Sequence, residues 1–301
     1  MEELLIRSQP GDVPVELIHR IQLLLPLKEA ARTCVLSKTW SNAWSTIPNI
    51  RFDVTPMFCN EEKEKDYIQF MDRTISKYVQ DNIPIESFDL RLTDIKLASV
   101  ASNWLRTLAA QSCFKELSIC ICYEFNGKLI LPDEIFSGKN LHTLSLRNYR
   151  IGPIEKISVS LNPVINCASL RVLELEDVEI SEEVLDNLFS TCILLEKILL
   201  SVDSDLKTLN VKNLHYLLEL KLSTIVPIDV LKIDDVPNLR LFDYYVVGGP
   251  IKTFNMASLT SVTELSLNRV TIDATFLDLI KSNLPSLEFW NLIFRTGLRK
   301  G

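Results

Sequence analysis

Residues 170 to 200 read LRVLELEDVEISEEVLDNLFSTCILLEKILL. The six residues from Leu170 and the six from Leu195 share one pattern, apolar at positions one, four and six. Side chains of an extended chain alternate in direction. Positions four and six (Leu173 and Leu175, Ile198 and Leu200) therefore point one way, and positions three, five and seven the other. Between the two copies, EEVLDNLFSTC carries its apolar residues at helical spacing. A short strand, a helix and another short strand make one unit of a repeating architecture.

The pattern recurs along most of the chain. Copies begin at Ile85, Phe114, Leu141, Leu170, Leu195, Leu217, Leu239, Val262 and Leu287, spaced 22 to 29 residues apart. That is the period of leucine-rich repeats. The expected fold is α/β: a leucine-rich-repeat solenoid with parallel strands on the concave face and helices or short strands on the convex face. The longer early units contain helical patterns such as LASVASNWLRTLAA. From Leu195 to Val262 a second copy falls about halfway through each unit, at Leu206, Ile228 and Ile251, which leaves room for convex strands but not helices. A convex helix is expected again from Asp273 to Lys281.

Positions three, five and seven of the strands set the concave surface. There we place Arg147, Glu174, Glu176, Lys197, Lys221, Asp243, Tyr245 and Asn268 as candidate contacts with a target. Both charge signs mix with hydroxyls and a few apolar tips, which suits a protein or peptide better than a polyanion. Taken singly, each of these residues also fits a plain solvated strand. The candidate is the face as a whole, since curvature gives repeat arrays extended binding surfaces.

The chain from Gly11 to Phe52 has a different grammar. Pro14 fits a first helical turn, and Leu17, Ile21 and Leu24 follow on one stripe with Ile18 and Leu25 beside it. Pro26 ends that helix, LKEAARTCVL is rich in helix formers, and Ser37 can cap a third helix carrying Trp40 and Trp44 on one face. A segment of roughly 40 residues is near the lower limit for folding alone, so its excess apolar surface should meet another domain or protein. The same residues could instead form the small module's own core.

This segment resembles the plant F-box. The resemblance rests on Val13-Pro14, Glu16-Leu17-Ile18, Ile21, Leu25-Pro26, Lys28-Glu29-Ala30-Ala31-Arg32, Val35-Leu36-Ser37-Lys38 and Trp40, in one ungapped register. The ending, LSKTW followed by AW and PN, is similar to the leucine-rich-repeat variant of that family. Departures are Val13 and Val15 near the start and Gln22 at a usually apolar helix position, all three expected at the docking edge. The resemblance implies that Val13, Pro14, Leu17, Ile21, Leu25 and Pro26 contact the Skp-type adaptor of a cullin-based (SCF) ubiquitin ligase while the repeats hold a target protein. It implies a non-catalytic specificity subunit. The alternatives are an interaction scaffold without ligase assembly and a receptor whose small ligand completes the concave face.

The implied organisation is an F-box over 10–52, a linker and capping helix over 53–82 and repeats over 83–301. Within the linker, TPMFCNEEKEKD reads as a loop. A helix is expected from Tyr67 to Val79, with Ile68, Met71, Ile75 and Tyr78 on one face. Related plant proteins often continue into a C-terminal FBD domain, whereas this sequence stops at FRTGLRKG without a polar cap. Either it is a short form or a partner covers that edge.

Composition narrows the function further. At 47% hydrophobic and 24% charged, the chain reads as an ordinary globular protein rather than a disordered one. A net charge of -7 argues against a nucleic-acid partner. No apolar run approaches a membrane span and the start lacks a signal-peptide core, so an intracellular place, cytoplasmic or nuclear, is expected. The seven cysteines are scattered and odd in number, and are expected as thiols. His19, His142 and His215 have no nucleophile paired nearby in sequence. Cys120 and Cys122 form a lone Cys-x-Cys expected to face the core. Asp203, Asp205, Asp234 and Asp235 read as turn residues, and Gly248-Gly249-Pro250 reads as a turn. We expect no catalysis, metal or cofactor.

Overall fold

Three short helical segments open the chain: α1 (Val15–Leu24), α2 (Leu27–Arg32) and α3 (Lys38–Trp44), with a 3-10 turn at Thr33–Val35. The computed structural model describes residues 13–25, 27–53, 61–92, 97–110, 114–122, 129–149, 157–159, 163–202, 206–246, 253–255, 259–270, 278, 280 and 282–294. Pro14 sits just before α1 rather than inside its first turn, and its carbonyl accepts from the Leu17 and Ile18 N–H groups. Leu25 leaves helical space (φ -88°, ψ 150°), the bias of a residue that precedes proline. Ser37 caps α3, its Oγ accepting from the Trp40 N–H at 3.3 Å. Ile18, Trp40 and Ala43 form a small core, with Val13 packed against it.

From there the chain passes straight into a sheet. Among the described residues it has ten strands, all parallel: β1 (Asn49–Asp53), β2 (Ser87–Leu92), β3 (Glu116–Cys122), β5 (Thr143–Tyr149), β7 (Val172–Glu176), β9 (Lys197–Val202), β11 (Glu219–Thr224), β13 (Leu241–Val246), β15 (Glu264–Val270) and β16 (Phe289–Phe294). Each of the nine motif copies is one strand, in sequence order. β1 adds a tenth from the PNIRF that ends the helical module, pairing Ile50 with Phe88 and Phe52 with Leu90.

The convex side is mixed, as the spacing predicts. The early units carry α5 (Ala98–Ala109) and a short sheet of β4 (Leu129–Ile130), β6 (Ile157–Ser158) and β8 (Val178–Glu179). α6 (Glu182–Thr191) follows, with Ser181 Oγ accepting from the Val184 N–H at 3.3 Å. The half-period copies become a second sheet of β10 (Thr208–Lys212), β12 (Val230–Asp234) and β14 (Thr253–Asn255). Turns between strands use left-handed Asp177, Asn213 and Asp235, which Asn and Asp tolerate best after glycine. Asp234 instead closes β12.

The loop reading of TPMFCNEEKEKD does not hold for its second half. α4 spans Glu61–Gln80, so the charged run from Glu61 to Asp66 is helical rather than a loop. Glu and Lys are good helix formers, and glutamates at the first turns complement the helix dipole. Met71, Ile75 and Tyr78 are buried and Ile68 packs partly against the core, as their spacing requires.

One apolar core runs from Ile50 to Leu284. The position-four and position-six residues Leu173, Leu175, Ile198 and Leu200 are almost inaccessible, and truncating such a leucine to alanine costs about 2–5 kcal/mol. At Tyr244 an aromatic takes a core position, and its hydroxyl accepts from the Ile228 N–H at 3.3 Å on the convex side. Among the described residues no helix is long and apolar enough to cross a membrane. Pro26, Asp203, Asp205, Gly248-Gly249-Pro250 and most of Asp273 to Lys281 lie outside the described residues.

Candidate functional site

Two surfaces stand out, one on each module. On α1, the 3.6-residue period puts Ile18 and Gln22 against the small core and turns Leu17, Ile21 and Leu24 outward. Leu17 is 48% and Ile21 41% exposed, and Leu25, Val35 and Leu36 are exposed as well. Pro14 is exposed, and Val13 is half-buried toward Ile18 and Trp40. Covering a fully exposed aliphatic side chain is worth about 1.5–3 kcal/mol, so covering this partly exposed stripe would be favourable. Val35, 88% exposed at the end of the 3-10 turn, is not among the candidate contacts.

Gln22 corrects an expectation. It is buried, and its Nε2 donates to Thr33 Oγ1 at 2.9 Å and to the Trp40 carbonyl at 3.2 Å. The departure from the family pattern at this position is internal, tying α1 to α3, and does not fall on the exposed edge. Val15 is exposed. His19 has a similar internal task, its Nε2–H donating to the Ala43 carbonyl at 2.9 Å.

The second surface is the concave sheet. In the strand register, Ser145, Glu174, Leu199, Lys221, Asp243 and Ser266 form one row. Arg147, Glu176, Ser201, Ser223, Tyr245 and Asn268 form the next. The register brings four of the candidates together. Glu174 Oε2 accepts from Ser145 Oγ at 3.0 Å and from Arg147, and its Oε1 accepts from Lys197 Nζ at 2.9 Å. Arg147 Nε also lies 3.4 Å from Glu176 Oε1. Burial pushes the Glu174 carboxyl upward, but the bonds from Lys197, Arg147 and Ser145 outweigh it and hold the pKa down at about 2. The same carboxylate holds Arg147 more firmly protonated.

The remaining candidates are spread along the face. Lys221 lies 3.7 Å from Glu219, and Asn268 donates to Ser266 Oγ at 2.9 Å. Asp243 and Tyr245 are half-buried on β13. Glu174 itself is buried by its neighbours, so it organises the surface rather than projecting from it. Toward the first strands, Arg51 and Arg91 share Asp89 at 3.2 and 3.9 Å.

Cys120 stands between Arg91 and Arg147 in the same register. It is buried, but it lies outside the main core cluster, on the other side of the strand from the one expected. Leu117, Ile119 and Ile121 occupy the core positions of β3, and alternation puts Cys120 on the concave side. Among the described residues no group of three or more His, Cys, Asp or Glu is placed to hold a metal ion. His215 Nε2 lies 2.7 Å from Asp235 on the exposed rim.

Known proteins agree with this architecture. The family model described as "FBD-associated F-box protein At5g56370, LRR repeats" matches residues 101–250. Putative F-box/FBD/LRR-repeat protein At5g62970 of Arabidopsis thaliana is 27% identical over 95% of this chain and 61% of its own length. F-box/FBD/LRR-repeat protein At4g00160 of the same plant is 24% identical over 97% of this chain and 64% of its own. Putative FBD-associated F-box protein At5g56410, also from Arabidopsis thaliana, is 31% identical over 60% of this chain and 38% of its own length. The chain thus spans less than two thirds of each of these relatives. No solved structure matches.

Proposed function

We propose that this chain, a leucine-rich-repeat solenoid similar to plant F-box/FBD/LRR-repeat proteins, is the specificity subunit of an SCF-type ubiquitin ligase. The outward face of α1 (Leu17, Ile21 and Leu25, with Val13 and Pro14 before it), together with Pro26, which follows in sequence, docks on a Skp-type adaptor and, through it, a cullin. The concave sheet, around Arg147, Glu176, Lys197, Lys221, Tyr245 and Asn268, holds a target protein. Residues 10–52 serve as the docking module, 53–82 as linker and cap, and 83–301 as the recognition array. The observation that carries the reading is the exposed aliphatic stripe on a module whose own core is little more than Ile18, Trp40 and Ala43.

The mechanism is proximity. Two bound partners held by one scaffold react at a raised effective concentration, so a target lysine is brought to a ubiquitin-charged enzyme supplied by other subunits. This chain contributes placement, and the bond-making groups belong elsewhere. Such an assembly operates in the cytoplasm or nucleus. The inward placement of Gln22 removes one reason to favour a scaffold that has lost adaptor docking.

Co-purification with a Skp-type adaptor tests the reading. The wild-type chain should capture the adaptor, and the double variant Leu17→Asp/Ile21→Asp should lose it. Its melting temperature should hold, because both side chains already face water. Equal capture by wild type and variant, or no capture by either, would overturn the assignment.

A further inference from the structure

A cleft of about 640 Å³ opens between the helical module and the first units of the solenoid, a volume that suits a small organic molecule. It lies beside β1, the strand at the end of the sheet. Its walls are largely aromatic: Trp44 at the end of α3, Phe52 on β1, and Tyr67, Phe70 and Tyr78 on α4. The Tyr67 and Phe70 rings stack with centroids 6.0 Å apart. Both tyrosine hydroxyls are committed to backbone, Tyr67 donating to the Asp53 carbonyl and Tyr78 to the Ile47 carbonyl at 2.7 Å. They present rings rather than free polar groups. Burial raises the Tyr78 phenol to about 12, so it adds no negative charge.

The charge of the lining is one-sided. Arg51 and Lys77 border the cleft, and among its described lining residues there is no carboxylate. Arg51 has a partner in Asp89, but Asp89 is shared with Arg91, leaving two guanidinium groups on one carboxylate. Lys77 is exposed on the last turn of α4 and has no ion pair among the described residues.

We infer that this cleft binds a small amphipathic organic acid, its apolar body against Trp44, Phe52 and Phe70 and its carboxylate on Lys77 and Arg51. An apolar body gains from the aromatic walls by displacing water. A carboxylate is the group that a cationic rim selects, and Lys77 carries most of that selection, because Asp89 already competes for Arg51. The site is separate from the exposed stripe of α1, and among its described lining residues only those of the edge strand β1, Arg51 among them, belong to the concave sheet. Its test is therefore independent of adaptor capture.

The experiment is calorimetric titration of the full chain with 2-naphthoate and decanoate, each paired with its neutral amide. At least one acid should bind saturably at one per chain, about tenfold tighter than its amide. Lys77→Gln should bring the acid to within about threefold of the amide while leaving the amide unchanged. Phe70→Glu, which sets a carboxylate on the wall, should abolish binding of the acid. Both replaced side chains are exposed, and matching melting curves would confirm that the variants are folded. Saturable binding by neither acid, equal affinity for acid and amide, or unchanged binding to Phe70→Glu would each overturn the inference.

Discussion

Replacing Glu174 by glutamine isolates what the charged centre of the concave face contributes. The Glu174 side chain is 10% exposed and receives Ser145, Arg147 and Lys197. Burial works against its charge, yet the three donors win and hold the carboxyl at about 2 instead of 4.5. At about 1.4 kcal/mol per pH unit, that difference corresponds to about 3 kcal/mol of folded-state preference at neutral pH. Glutamine keeps the shape and one acceptor oxygen. Arg147 and Lys197, 37% and 34% exposed, recover water. The net cost at pH 7 is therefore smaller, about 1–2 kcal/mol. The sign with pH follows from the lowered carboxyl: its contribution is complete above 4.5 and is lost as pH falls toward 2. Urea unfolding by circular dichroism, with hydrogen exchange over β5 to β9, should show wild type more stable at pH 7. The two proteins should converge as pH drops from 5 to 2.5. Equal stability at pH 7, or a gap that stays constant down to pH 3, would refute the reasoning.

Two further outcomes follow from buried polar groups. Gln22→Leu should change the melting free energy by less than about 1 kcal/mol, because the substitution removes two hydrogen bonds but also a buried Oε1 that has no partner among the described residues; adaptor capture should be unaffected, since the side chain faces inward. Tyr78→Phe should cost about 1 kcal/mol at pH 7 by removing the bond to the Ile47 carbonyl. The wild-type tyrosine keeps its stabilising neutral form below pH 10 and loses that advantage as pH rises to about 12, so base unfolding monitored by circular dichroism should narrow the gap between the two.

The repeats were legible because their signal is redundant. An apolar residue at positions one, four and six, copied nine times, states strand, direction and period at once, and the half-period copies at Leu206, Ile228 and Ile251 separate convex strands from helices. What escaped was context. Gln22 is polar at an apolar position, and sequence alone does not say that the Trp40 carbonyl and the Thr33 hydroxyl wait inside for its amide. The Glu61 to Asp66 run is charged enough to resemble a loop, yet it forms the start of a helix whose later turns are anchored by Met71 and Ile75. Cys120 and Cys122 share one side of their strand, but sequence does not say that Cys120 is buried on the side opposite Ile119 and Ile121. On the concave face, spacing placed Arg147, Glu174 and Lys197 on one surface. Only the parallel register shows that Glu174 is enclosed by the other two.

The junction at β1 bears directly on how a placement protein can work. The gap between α3 and the sheet is four residues, Ser45 to Pro48, and it is bonded on both sides. The Pro48 carbonyl accepts from the Glu86 and Ser87 N–H groups at 2.7 and 3.3 Å, and the Ile47 carbonyl accepts from Tyr78. β1 then pairs over its full length with β2. A flexible tether would let the two binding surfaces sample many separations, and effective concentration falls as the sampled volume grows. Here the strand that follows the helical module is also the first strand of the sheet, so the outward stripe of α1 and the concave rows are held by one hydrogen-bonded framework. Under the proposed function, a target on β5 to β13 would be presented at a set distance and angle from an adaptor on Leu17 and Ile21. The amphipathic cleft lies at that same joint, where an occupant would contact α3, β1 and α4 together.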